Sequence, residues 1–155
     1  MKTPPRPVVR NAARVLLIDP DGRVLLVRGG DPADPEAGTW WLTPGGGLEP
    51  GEDARTAASR ESFEETGCRP ERLEGPVARR SSVFPFAGRL IEQREQYFVA
   101  RVPAFTPSAA GWTALEQRAL LDFRWWTVPE LRTTADTVFP EGLADLVDRA
   151  ARPAP

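Results

Sequence analysis

"GGLEPGEDARTAASRESFEETGC", residues 46–68, is the stretch on which the fold turns. Good helix formers fill its second half, acid stands at their start where the helix dipole favours it, and Gly67 suits a left-handed C-terminal cap. The pattern predicts a helix over 53–66. At about 100° per residue, Ala54, Ala57 and Ala58 form its apolar stripe; Glu61 and Glu65 continue that stripe, with Glu64 at its edge. A solvated face would turn its glutamates away from the alanines. Carboxylates crowded onto a packed face repel one another and resist ionisation unless a cation neutralises them. Hard divalent ions take oxygen ligands and are shared between carboxylates and substrate phosphates, which points to Mg²⁺ or Mn²⁺. Gly45, Gly46 and Gly47, just upstream, let backbone approach a ligand without Cβ obstruction, and a carbonyl there is a further candidate oxygen ligand.

Composition narrows the chemistry further. With no histidine among 155 residues, a Ser-His-Asp triad, a Cys-His pair and a histidine base are excluded within the chain. Cys68 is the only cysteine, so an internal disulfide is impossible and a zinc site of the usual Cys and His ligands is disfavoured. A net charge of -2 gives no electrostatic reason to expect a nucleic-acid duplex or a membrane surface as partner. No stretch approaches the roughly 18 apolar residues of a membrane span. The expectation is a cytoplasmic protein acting on a small molecule, and a homodimer is compatible with it.

Around the central helix the chain reads as an α+β domain over 8–152, preceded by a flexible, proline-rich arm over 1–7. The runs 8–19 and 23–28 are β-branched and leucine-rich and flank Asp21-Gly22, a hairpin signal. Residues 29–38 read as a surface loop, Trp40–Leu42 as a short apolar stretch, and 43–52, with two prolines and four glycines, as a shaped loop without regular structure. Strands are expected at 76–86, 90–102 and 122–128, a loop with helical character at 112–121, a helical turn from Pro129, and a C-terminal helix over 140–152 with Pro140 at its start.

The central stretch resembles the Nudix box of the Nudix hydrolases, Gly-x5-Glu-x7-Arg-Glu-U-x-Glu-Glu-x-Gly-U, with U bulky and apolar. It runs here through Gly46, Glu52, Arg60, Glu61, Glu64, Glu65, Gly67 and Cys68, with every fixed letter present and both gaps intact. The departure is Ser62 at the first U, read as a packing variation beside Ala58. "WWLTPGG" is similar to the family's lead-in to the box, and the similarity extends over most of the chain while being specific only in the box.

The resemblance implies a Nudix fold, an α/β/α sandwich around a mixed β-sheet, and a hydrolase that cleaves the pyrophosphate linkage of a nucleoside diphosphate joined to another moiety by attack of metal-activated water. Mg²⁺ or Mn²⁺ is the implied cofactor. It assigns Glu61, Glu64 and Glu65 as metal ligands with Gly45 as a further one, and Glu52 with Arg60 as a structural ion pair. The base is open between Glu64, Glu61 and Glu116, the last from a later loop; Glu92 and Glu95 are further candidates. Arg10, Arg28 and Arg94 are candidates for substrate phosphates, since guanidinium suits bidentate contact, and Trp40, Trp41, Tyr97 and Phe84 for base stacking. The competing reading is a Nudix-fold nucleotide-binding module without turnover; such a module would be expected to lose box glutamates, and all are present.

Overall fold

Alternation along the first strand sorts the core into two layers. Ala13, Val15 and Leu17 are buried on one face and Leu16 and Ile18 on the other. In the computed structural model, which describes residues 3–152, the elements follow in the order β1 (Val8–Ile18), β2 (Val24–Gly30), β3 (Thr39–Leu42), β4 (Gly45–Gly47), α1 (Ala54–Thr66), β5 (Glu74–Phe86), β6 (Arg89–Arg101), α2 (Ala114–Ala119), β7 (Leu120–Trp126), α3 (Val128–Thr133) and α4 (Leu143–Ala151). Of the expected arm, residues 1 and 2 lie outside the described residues, and 3–7 carry no regular secondary structure.

The sheet is mixed. β6 runs parallel to β1 along its whole length, from Val8 opposite Ile91 to Ile18 opposite Arg101, and β5 pairs antiparallel outside it. β1 and β2 are antiparallel and meet at their hairpin end, Ile18 opposite Val24, across a turn in which Gly22 has φ +78°. Because β6 holds one edge of β1 and β7 one edge of β2, β3 on β2 and β4 on β1 fill the fork between them. Glu61 of α1 lies over Gly46 in this fork.

Both sheet faces are covered, which explains why β1 and β2 read as continuous apolar runs. On one face Ala57 and Ala58 of α1 pack on Ala13, Val15, Leu17, Leu25, Phe98 and Ala100. On the other, Leu143, Leu146 and Val147 of α4 pack with Leu16, Ile18, Val24, Leu26, Tyr97, Val99 and Trp126. This is the expected α/β/α sandwich. No helix among the described residues is long and apolar enough to cross a membrane.

Of the boundaries that differ from the expectation, three have clear physical reasons. The shaped loop contains a strand after all: Gly45, Gly46 and Gly47 pair with Arg14, Ala13 and Ala12. Pairing uses backbone alone, and glycine permits the close approach. The C-terminal helix starts at Leu143 and not at Pro140, because Gly142 at φ +76° turns the chain into it. Residues 120–126, two earlier than expected, form the last strand, since α2 ends directly into β7.

Candidate metal centre and active site

Helix α1 starts and stops as its termini dictate. The Asp53 carboxylate accepts from Thr56 N (2.7 Å), and Gly67, at φ +84° and ψ -1°, donates its N–H to Phe63 O (2.8 Å). Its buried side runs Ala57, Ala58, Ser62, Glu65 and Thr66. The packed stripe therefore does become carboxylate, and Glu65 is 3% exposed. Ser62 is more than a packing variation: fully buried, its hydroxyl donates to Cys68 O (2.8 Å), tying the turn after the helix back to it. An apolar residue there would leave that bond unmade.

The loop before α1 is held by Arg60. Its Nε and Nη2 donate to both oxygens of Glu52 (2.8 and 2.7 Å), and Nη2 also reaches Gly47 O (3.1 Å). Its Nη1 donates to Glu61 (3.0 Å) and Glu64 (3.1 Å). This bidentate grip, with help from the Glu49 N–H, holds the Glu52 carboxyl down at about 2. A depressed acid contributes stability above its unfolded pKa, about 4.3, and loses it as pH falls through the folded value. Glu52→Gln should therefore cost about 1 kcal/mol at neutral pH, and denaturant midpoints of variant and wild type should converge as pH drops from 5 towards 2.

Three carboxylates converge in front of this loop. Oxygens of Glu61, Glu65 and Glu116 lie within 4.8 Å of one another. Glu61 sits directly over Gly46, where an added Cβ would stand 2.6 Å from its carboxylate. Glu116 arrives on α2 and is oriented by a capping box: its carboxylate accepts from Thr113 N (2.9 Å) while Glu116 N donates to Thr113 Oγ1 (3.1 Å).

Burial pushes Glu65 well above the usual carboxylate range, with Glu116 and Glu61 adding to the rise against Arg14 and the Gly45 backbone. Burial likewise raises Glu61, with Arg60 opposing. A hard divalent cation takes oxygen ligands and neutralises crowded carboxylates, so Glu61, Glu65 and Glu116 fit such an ion.

Residues 8–148 match the family model described as the NUDIX domain. The chain belongs to the Nudix family. Among curated relatives, it is 48% identical over 65 residues to an RNA pyrophosphohydrolase of Dinoroseobacter shibae, covering 42% of this chain and 38% of the relative. It is 34% identical over 103 residues to one of Roseobacter denitrificans, covering 59% and 61%. The matches thus span less than two thirds of those relatives' own lengths. The fold is similar to that of a crystal structure of a MutT NUDIX hydrolase from Burkholderia pseudomallei, with a TM-score of 0.65 at 21% identity over 88% of this chain and 95% of that one.

The remaining expected residues of the Nudix site divide. Glu64 stays on Arg60, outside the three-carboxylate cluster, its side chain 35% exposed. The Gly45 carbonyl is 3.5 Å from Arg14 Nη1, which also donates to Thr43 O (3.0 Å). The three arginines expected to bind substrate phosphates have separate neighbours. Arg28 lies half-buried over Trp41, Arg10 lies against Gly47, and Arg94 is exposed beside Glu92. Trp41 and Tyr97 are core residues, so neither is free to stack on a base; Trp40 and Phe84 are half-buried. Glu95 is taken by Arg14 Nε (2.6 Å) and Tyr97 Oη (3.2 Å), and Glu92 by Arg94 (3.2 Å).

Sequence reading missed Arg14. Half-buried beside Glu65, it faces a burial penalty that Glu95, Tyr97 and Glu65 more than offset, so its charge is secure. No sequence signal marked it out within a strand.

Proposed function

We propose that this chain is a metal-dependent hydrolase that cleaves the pyrophosphate linkage of a nucleoside diphosphate joined to another moiety. The observation that carries this reading is the meeting of Glu61, Glu65 and Glu116, drawn from two separate helices onto one point beside a glycine strand. A divalent ion held there supplies charge neutralisation for phosphate oxygens and acidifies water.

The chain's own groups do the rest. Gly46 keeps the space against the Glu61 carboxylate clear of a Cβ atom. Arg60, on α1 beside them, ties Glu61 and Glu64 to Glu52 and the Gly47 carbonyl of the preceding loop. Glu64, outside the cluster and partly exposed beside Arg60, is the carboxylate suited to take the proton of the attacking water. In this reading Glu61, Glu65 and Glu116 are ligands, and Glu64 is the base. The names of the two relatives add RNA carrying a 5′-terminal phosphate chain to the substrates worth testing.

The test is a substrate panel of nucleoside triphosphates, ADP-ribose, dinucleoside polyphosphates, NDP-sugars, NADH and 5′-triphosphorylated RNA, with Mg²⁺ or Mn²⁺. At least one member should be turned over, and Glu64→Gln should lower kcat by about 10²–10⁴-fold while Mn²⁺ affinity stays within a few-fold of wild type. Binding of a nucleotide with no turnover above the Glu64→Gln level would favour the non-catalytic module instead.

A further inference from the structure

Helix α2 has six residues, too few to fix its own position. What fixes it is the segment before it, laid across the open end of α1. The last carbonyls of α1 have no partner within the helix, and this segment takes them. Ser108 N donates to Thr66 O (2.9 Å), and the Trp112 indole Nε1 donates to Glu65 O (2.8 Å). Gly111 passes so close that an added Cβ would stand 2.5 Å from Glu64 O.

Trp112 is held on its other sides as well. Its ring packs on Phe123 of β7 with centroids 5.6 Å apart, and its carbonyl accepts from Gln117 Nε2 (3.3 Å). One residue later Thr113 caps α2, and three residues after that comes Glu116. The carbonyls gripped belong to the same turn of α1 that carries Glu64 and Glu65, so backbone and side chains of the site share one register.

We propose that Trp112 is a positioning residue for the third carboxylate: through its bond to Glu65 O it registers the Thr113–Glu116 turn against α1 and so brings Glu116 to Glu61 and Glu65. The proposal rests on the metal-seat reading above, and it assigns to Trp112 a role that neither the box nor its loop contains. Gly111 serves the same purpose by allowing the close approach. A tryptophan that only capped α1 would affect stability without any dependence on Glu116.

Trp112→Phe keeps a ring for Phe123 and removes the indole N–H, and two measurements on it decide the matter. In metal-free full-length protein, hydrogen exchange of the Thr113–Gln117 amides should quicken by about 10-fold, one order in the opening equilibrium. Mn²⁺ affinity, read by electron paramagnetic resonance, should fall by about 10-fold, the lower end of the effect of outer-shell changes. In a Glu116→Gln background Trp112→Phe should have no further effect on Mn²⁺. Thr113→Ala, which loosens α2 without touching α1, should reproduce this pattern if Trp112→Phe does not fold. Unchanged exchange, or an equal Mn²⁺ loss with and without Glu116, overturns the proposal. Wild type that bound no Mn²⁺ would instead defeat the metal-seat reading, and the exchange result would still decide the role of Trp112.

Discussion

Glu65→Gln should lower pyrophosphate hydrolysis by more than about 100-fold, beyond the range of outer-shell changes, while making the metal-free protein more stable. The two effects have one cause. Glu65 is 3% exposed and its charge is opposed by burial and by Glu116 and Glu61, with Arg14 and the Gly45 backbone as the counterweights. Arg14 is itself engaged by Glu95 at 2.6 Å, so removing the Glu65 charge does not strand it.

An acid whose folded pKa is raised imposes no penalty below its unfolded pKa, about 4.3, and an increasing one as pH rises through the folded value. The thermal advantage of Glu65→Gln in chelator should thus be absent near pH 4 and grow towards pH 8, and excess Mn²⁺ should reverse it by stabilising wild type alone. Parallel loss of stability and activity at every pH would mark Glu65 as a packing residue.

Gly45→Ala should be the largest lesion in folding, about 3 kcal/mol or more, whereas Gly46→Ala should leave stability near wild type and weaken the site. At Gly45 φ is +152°, and a Cβ would run into the Ala13 carbonyl oxygen and stand 2.7 Å from Arg14 Cα. These are backbone atoms of β1, fixed by pairing with β6, so overpacking and a strained conformation add together. At Gly46 the obstructed group is the Glu61 carboxylate at 2.6 Å, the free end of a side chain that can swing away. The swing relieves the clash and takes Glu61 out of the cluster. Chemical denaturation and Mn²⁺ titration of the two variants, side by side, check both halves; a Gly46→Ala protein as unstable as Gly45→Ala would contradict this account.

The features legible in the sequence were those written in local chemistry. Asp53, Gly67 and the alanine stripe define α1 whatever surrounds them, and the spacing from Glu52 to Arg60 survives as a bidentate pair. β1 and β2 were readable because sheets covered on both faces need continuous apolar runs. Harder to read were contacts between distant segments. Arg14 meets Glu95 across 81 residues, and Trp112 meets Glu65 across 47. The Gly45–Gly47 strand was hidden for another reason: its composition reports the closeness of Ala13 and Glu61, not the pairing that results. Ser62 departs from the box pattern in sequence, and only the fold shows its hydroxyl donating to Cys68 O.

In the proposed site Glu116, 51 residues beyond Glu65, completes the seat begun by Glu61 and Glu65 on α1. A Mn²⁺ titration of wild type against Glu116→Gln, followed by electron paramagnetic resonance, tests it most directly. Wild type should bind, and Glu116→Gln should need at least about 10-fold more Mn²⁺ for half saturation with its melting temperature in chelator no lower than wild type. Superimposable titrations would show that Glu116 is a neighbour of the site and no part of it.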